Sequence, residues 1–131
     1  MQQLIYYSRP FGFDLSILSN ILASSRRRNP MNDVTGALIC RSDIFLQLLE
    51  GPTRQVEATF NRISEDDRHV EVNVLVRAAI QDRLFEGWAM YHDPQQPDLW
   101  SVDEVHEGAP MRATARDVRG IFLALAAEAK S

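Results

Sequence analysis

A glutamine inside an apolar run is the first residue of this chain whose chemistry needs an explanation. Gln47 lies in the stretch IFLQLLEGP, whose other residues from Ile44 to Leu49 are aliphatic or aromatic, as in a strand buried on both faces. A buried primary amide brings two N–H donors and a carbonyl acceptor, and leaving such groups unpaired costs about 1–3 kcal/mol. Gln47 therefore needs partners, either within the protein or on a bound ligand.

Tyr6, in the stretch QLIYYS, is the natural partner for Gln47 because a phenol can both donate and accept a hydrogen bond. Asn29 adds a second amide near the end of the first predicted helix, and Trp88 and Met90 share one side of the last predicted strand. Such groups could recognise a heterocycle whose faces are covered by apolar helix residues. Taken one by one, however, these residues are more often ordinary core residues, so residue chemistry alone favours a structural role.

The strands that must position these residues are short apolar or aromatic runs between turn-forming residues. The tight Ser42-Asp43 turn joins two of them as an antiparallel hairpin. The predicted strands are 3–8, 34–41, 44–50, 70–78 and 88–92.

Two helices are predicted between these strands from apolar residues at three- and four-residue spacing. The first is capped by Asp14 and ends at Asn29-Pro30, and the second begins at Thr53. The resulting order indicates an α+β fold of the ferredoxin-like type, βαββαββ, with a mixed five-stranded sheet and two helices on one face.

The third strand shows that the second face of the sheet also needs a cover. Alternation sends Gln47 and Phe45 to one face and the neighbouring leucines to the other, yet the two helices cover a single face. A final helix is predicted over 112–130, with one stripe formed by Val118, Ile121, Phe122 and Leu125. We expect this C-terminal helical extension, or a partner subunit, to cover the second face.

Length, charge and composition limit the classes of function. A chain of 131 residues with 45% hydrophobic residues and a formal charge of −4 predicts one globular domain and disfavours nucleic acid and anionic membranes as partners. The sequence lacks an apolar run of about 18 residues and a signal-type start, so we expect a cytoplasmic protein. Cys40 is predicted to be a buried, inert thiol. The histidines and this cysteine show no metal-ligand spacing, and no metal site is predicted.

The run NPMNDVTGALICRSDIFLQLLEGP, with LIYYSR before it and RHVEV and FEGWAM after it, resembles the BLUF family of blue-light sensors that use FAD. The resemblance extends from about Gln3 to His92 in unbroken order, and the family has the βαββαββ fold predicted above. It implies a flavin-binding photosensory domain over 1–93. The remainder, 94–131, would be a helical capping and oligomerisation extension, as in short members of the family.

The resemblance also implies roles for individual residues. Tyr6, rather than Tyr7, would be the photoactive tyrosine, Gln47 the glutamine between its phenol and the flavin, and Trp88 and Met90 a pair linked to signalling. The family uses FAD, which is therefore the expected cofactor. Leu84 and Arg28 depart from residues common in the family, and for this reason FMN is the alternative. The expected flavin contacts are Ile21, Arg28, Asn29, Phe45, Gln47, Arg62, Ile63, Arg68 and His69.

By the same resemblance, blue light moves an electron and a proton from Tyr6 through Gln47, whose amide then rotates or tautomerises. The chain would be a photoreceptor and not an enzyme, signalling through the fifth strand and the final helix to a separate partner protein, with a homo-oligomer expected. One alternative is a flavin-independent interaction module on the same fold. Another is an enzyme with acid–base chemistry at Asp66, Arg68 and His69, although charged residues after a helix usually form a solvated loop.

Overall fold

A computed structural model describes residues 1–10, 15–41, 44–65, 69–92, 103–104 and 107–129. Five strands form one sheet in the order β4-β1-β3-β2-β5. The strands are β1 (Gln2–Pro10), β2 (Thr35–Arg41), β3 (Ile44–Gly51), β4 (His69–Ala79) and β5 (Tyr91–His92). The helices are α1 (Leu15–Arg28), α2 (Thr53–Ser64), α3 (Ala109–Arg112) and α4 (Ala115–Ala129), and a 3-10 helix follows α1 at Pro30–Asn32. The predicted α+β, ferredoxin-like order is confirmed.

The central strand of the sheet is β3, and its neighbour β1 pairs antiparallel with β3 on one side and with β4 on the other. In the β1–β3 register Tyr6 lies directly opposite Gln47, as strand alternation predicts. The hairpin partners β2 and β3 are also antiparallel, whereas β5 runs parallel to β2 through two residue pairs. The sheet is therefore mixed, and its core is made by the three strands β1, β3 and β2.

The two faces of the sheet carry separate apolar clusters. On the helix-side face, residues of β1, β3 and β2 pack with α1, α2 and Met90, forming a cluster of Leu4, Tyr6, Ile21, Val34, Leu38, Phe45, Leu49, Val56, Phe60 and Met90. On the α4-side face, the intervening residues of the same strands meet the C-terminal helix. The predicted stripe of Val118, Ile121, Phe122 and Leu125 is buried there, so α4 covers the second face.

The helix predicted over 112–130 is confirmed as α4, which begins three residues later than predicted, at Ala115. Ala113 has an extended backbone and separates α3 from α4. Thr114 and Asp117 form a capping box, because the Asp117 N–H donates to Thr114 Oγ1 at 3.1 Å and the Thr114 N–H donates to Asp117 Oδ2 at 3.3 Å. This local cap starts a new helix. The expected cap Asp14 and the Ser42-Asp43 turn lie outside the described residues.

The last strand is shorter than the predicted 88–92, because only Tyr91–His92 pair with β2. Before it, Gly87 has a φ of +87°, in the left-handed region that favours glycine, and the Trp88 N–H donates to the Phe85 carbonyl at 3.0 Å. The backbone turns here and is not extended. We refer to residues 83–90 as the linker segment, since they connect β4 to β5 without being a strand.

Candidate functional site

The candidate site is built on a hydrogen-bonded pair at the middle of the helix-side face. The Tyr6 hydroxyl on β1 donates to Gln47 Oε1 on β3, and both side chains are buried. The Gln47 Nε2 group points at the Met90 sulfur, 3.7 Å away. A thioether is a weak acceptor, so the amide of Gln47 lies between one strong partner and one weak partner.

Burial controls the protonation of Tyr6. Its desolvation raises the pKa of the phenol well above the ordinary value near 10. The ring of Phe60 on α2 lies edge-on to Tyr6, with 5.1 Å between ring centroids, and adds to the apolar surroundings. Tyr6 therefore remains a neutral hydrogen-bond donor at any physiological pH.

Met90 and Trp88 lie on opposite sides of the linker segment. Met90 is 1% exposed and belongs to the helix-side cluster, whereas Trp88 is 41% exposed and packs against Tyr91, with ring centroids 4.8 Å apart. Tyr91 in turn packs against the α4-side cluster. The expectation that Trp88 and Met90 share one side of a strand is wrong, because the two-residue alternation of a strand does not apply to a turning backbone.

Residues at the end of α1 hold the last part of the linker segment. Asn29 is buried, and its Nδ2 group donates to the Ala89 carbonyl at 2.8 Å. Arg26 Nε donates to the Met90 carbonyl at 3.3 Å. Asn29 thus acts in this structure as a positioning residue for the backbone next to Met90.

Glu50 holds the first part of the linker segment and is a residue that sequence reasoning missed. Its buried carboxylate accepts from the Leu84 N–H at 2.9 Å, from the Phe85 N–H at 3.1 Å and from Gln3 Nε2 at 3.2 Å. Arg83 adds bonds of 2.9 Å and 3.0 Å to Asp33. The signal was present in the sequence, since a carboxylate that continues a buried apolar strand needs donors as much as Gln47 does.

Apolar residues from both helices and from β3 surround the polar pair. Ile21 on α1 is 5% exposed, and the half-buried Ile63 on α2 packs against the same cluster, which also contains the fully buried Phe45. The two isoleucines come from the two helices that cover this face. The arrangement could hold the two faces of a flat ring system against the polar edge formed by Tyr6 and Gln47.

A positively charged cavity of about 370 Å³ opens beside the C-terminal ends of α1 and α2. It is lined by Arg27, Arg28, Met31, Asn32 and Arg62. Burial, together with the nearby charge of Arg28, lowers the pKa of Arg62. Three arginines, two from α1 and one from α2, thus line one cavity, and an anion bound there would relieve their mutual repulsion.

Three of the candidate residues are not placed as side chains. Asp66 and Arg68 lie outside the described residues, and the structure describes His69 as the first residue of β4 without its side chain. Within the described part of the chain, no group of three or more His, Cys, Asp or Glu side chains could hold a metal ion, and no helix is long and apolar enough to cross a membrane. Cys40 is half-buried, more exposed than expected.

The fold and the site together define a small ferredoxin-like domain with a buried polar site between its sheet and two helices. The family model for BLUF, described as sensors of blue light using FAD, matches residues 1–91. This match covers well over half of the chain, and the protein therefore belongs to the BLUF family of flavin-binding blue-light sensors.

Two relatives show how the domain is used in other proteins. The photoactivated adenylate cyclase subunit beta of Euglena gracilis is 37% identical over 74 residues, which are 56% of this chain and 9% of that protein. The blue light- and temperature-regulated antirepressor BluF of Escherichia coli (strain K12) is 38% identical over 55 residues, 42% of this chain and 14% of that protein. The chain thus spans a small part of these curated relatives.

Solved structures of similar size match over nearly the whole chain. The dark-state structure of BlrB, a BLUF protein, is 27% identical and has a TM-score of 0.79, covering 97% of this chain and 96% of that chain. The ground state of BlsA is 25% identical, with a TM-score of 0.78 and coverage of 95% and 87%. The similarity therefore extends beyond the family match into the C-terminal helical region.

Proposed function

We propose that this chain is a blue-light photoreceptor that binds a flavin non-covalently between the sheet and the helices α1 and α2. The observation that carries the proposal is the buried set Tyr6, Gln47 and Met90, in which an amide bridges a phenol and a thioether. A buried amide with one weak partner retains hydrogen-bonding capacity that a heterocycle edge can use. Family membership supports the same choice of ligand.

The surroundings of this set also fit a flavin. Ile21 and Ile63 come from the two helices and would pack on the two faces of the ring, with Phe45 beside them. Arg28 and Arg62, at the mouth of the neighbouring cavity, suit a phosphate-bearing chain, and Arg68 and His69 are further proposed contacts. FAD is the proposed cofactor because the family description names it, and FMN, with the same ring and one phosphate, is the alternative.

The bound flavin would supply the light absorption and the redox change, and Tyr6 and Gln47 would supply the proton path and the switch. Tyr6 is neutral and donates to Gln47 Oε1, so an electron and a proton can leave the phenol along one hydrogen bond. Rotation of the Gln47 amide would place Nε2 towards Tyr6 and Oε1 towards Met90. Tyr6 can accept in this second arrangement, so the site has two hydrogen-bonded states.

The rotated state would change the contact with the linker segment. The Met90 sulfur can accept from an N–H group but has no hydrogen to donate, so a carbonyl oxygen facing it forms no hydrogen bond. Met90 belongs to the same segment as Phe85, whose ring lies 6.3 Å from that of Phe122 on α4 and perpendicular to it. We propose that the signal passes from Gln47 through this segment to α4 and then to a separate partner protein, without catalytic turnover.

A light-minus-dark absorption spectrum of the purified chain tests the proposal. We expect bound flavin and a reversible red shift after blue light. Tyr6→Phe and Gln47→Leu should keep the flavin and abolish the shift, because they remove the proton donor and the rotating amide. The matched control is Tyr7→Phe, one residue away on the α4-side face, which should retain the shift.

Two results would contradict the proposal at different levels. A chain that takes up neither FAD nor FMN would contradict the photoreceptor function and leave a flavin-independent interaction module. A chain that binds flavin and still photocycles after Gln47→Leu would contradict the proposed switch while leaving the ligand in place.

A further inference from the structure

A groove between α4 and the linker segment is not used by the proposed photochemistry. Its volume is about 460 Å³, and it is lined by Leu84, Ala115, Arg116, Arg119, Gly120 and Leu123. Leu123 is 55% exposed and forms the apolar part of the groove together with the half-buried Leu84. A Cβ added at Gly120 would meet nothing within 4 Å, so this glycine leaves the groove open rather than filling it.

The two charged residues that line the groove are both arginines. Arg116 and Arg119 are exposed and lie about one turn apart, and within the described residues neither guanidinium forms a hydrogen bond or an ion pair. Their i+4 neighbours on the helix are Gly120 and Leu123, so the two charges border the apolar part of the groove. Leu84 forms its other wall and comes from the linker segment, not from α4.

We propose that this groove binds an acidic, amphipathic peptide segment of a partner protein. Apolar side chains of that segment would pack against Leu84 and Leu123, and its carboxylates would pair with Arg116 and Arg119. The same groove is a less suitable site for a second copy where a two-fold axis passes through it, because such an axis would bring the four guanidinium groups of two Arg116 and two Arg119 residues close together.

The position of Leu84 connects the groove to the proposed signal. The Leu84 N–H is held by the buried Glu50 carboxylate, and Leu84 lies in the segment that ends at Met90. The inference names the partner class for the photoreceptor proposed above and in that respect rests on it. Binding in the dark, however, depends on the groove alone and can be measured separately from any spectral change.

A phage-displayed library of short random peptides, selected in the dark on the flavin-loaded full chain, tests the proposal. We expect the enriched peptides to carry net negative charge and apolar residues three or four positions apart. Arg119→Glu should weaken the binding of a selected peptide about fivefold and Leu123→Asp about tenfold or more. The matched control is Arg54→Glu, the same charge reversal at an exposed position of α2, which should leave binding unchanged.

Three results would overturn the proposal: an enriched pool without acidic bias, binding that survives both Arg119→Glu and Leu123→Asp, or no enrichment above the Leu123→Asp protein. Self-association of the chain that Leu123→Asp abolishes, measured by analytical ultracentrifugation, would identify a second copy as the occupant and would overturn the assignment to a partner protein. The light-minus-dark spectrum is recorded on the same samples. Acidic peptides that bind a chain without a red shift would support the groove and contradict the photoreceptor function, so the two failures are distinguishable.

Discussion

The two faces of the sheet are made by alternate residues of the same strands but differ in chemistry. On the α4-side face, apolar side chains of β1, β2 and β3 meet an apolar helix stripe. On the helix-side face, the equivalent layer contains the hydrogen-bonded side chains of Tyr6 and Gln47. The α4-side face is held by close apolar packing. The helix-side face also contains a small set of hydrogen bonds among apolar side chains.

The difference in chemistry sets apart a face that contributes mainly to stability and a face that holds the proposed switch. Apolar packing has one favourable arrangement and resists change, whereas the proposed switch requires a second hydrogen-bonded arrangement of Tyr6 and Gln47. The linker segment joins the faces, since it buries Phe85 on the α4 side and Met90 on the helix side. In the proposed mechanism, a rearrangement at Gln47 on the helix-side face would therefore reach the α4-side face through this segment.

The largest expected effect is a difference in unfolding free energy between variants of the two faces. Phe122→Ala on the α4 side should lower the free energy of unfolding by about 3–5 kcal/mol, because it leaves a cavity under a fully buried ring. The double variant Tyr6→Phe/Gln47→Leu should change it by less than about 1 kcal/mol, since both hydrogen-bonding partners are removed together. Urea unfolding followed by circular dichroism measures both. Equal losses of unfolding free energy for the two variants would show that the α4-side face does not contribute more to stability.

The next effect concerns the junction of the two faces. Glu50→Ala should cost about 2–3 kcal/mol, because it leaves two buried backbone N–H groups and the Gln3 amide without their acceptor. Glu86→Ala, at an exposed position of the same segment, is the control and should change stability by less than about 0.5 kcal/mol. The same urea measurement applies. Similar losses for both variants would show that Glu50 does not anchor the segment.

A smaller effect concerns the pH dependence of stability that comes from the buried phenol of Tyr6. Its folded-state pKa is raised, so above the ordinary pKa near 10 the unfolded chain releases a proton that the folded chain keeps. Stability from this group is present below about pH 10 and falls by about 1 kcal/mol between about pH 10 and pH 11. The unfolding free energy of wild type minus that of Tyr6→Phe should show this decline. A difference that stays constant over this range would contradict it.

The smallest effect belongs to the surface pair Glu57 and Arg77, 2.9 Å apart at the edge of the helix-side face. The hydrogen bond from Arg77 lowers the pKa of Glu57, so this stability is present above the unfolded value near 4.3 and is lost as the pH falls through the folded value. Because the pair is exposed, Glu57→Gln should cost about 0.5 kcal/mol at neutral pH. The cost should vanish in acid, and a cost that persists there would contradict this assignment.

Regular alternation allowed much of the fold and part of the site to be predicted from sequence. The order of strands and helices follows from periodicity, and the two-residue repeat of β3 puts Gln47 on the side opposite Leu46 and Leu48. Tyr6 and Gln47 then meet because β1 and β3 are neighbours. These predictions succeed because each depends on a local repeat that strands must obey.

The linker segment could not be predicted in the same way, because its conformation depends on side chains that are distant in sequence. Glu50 is more than thirty residues from the N–H donors of Leu84 and Phe85, and Asn29 is 60 residues from Ala89. The apolar and aromatic residues near Trp88 suggested a strand, but these tertiary bonds and the turn at Gly87 determine the backbone. The role of Glu50 depends on the same long-range contacts, and it was missed because the sequence does not show which groups donate to this carboxylate.

The two-residue pairing of β5 with β2 has a consequence for how the molecule opens. Few backbone hydrogen bonds hold Tyr91 and His92 to the edge of the sheet, whereas β1 is held along its whole length on both sides. Subglobal opening should therefore begin at this edge, and the amide protons there should exchange with deuterium before those of β1 and β3. Met90 precedes that edge directly, so the side chain that Gln47 Nε2 faces is attached to the part of the sheet that we expect to detach at the lowest free energy.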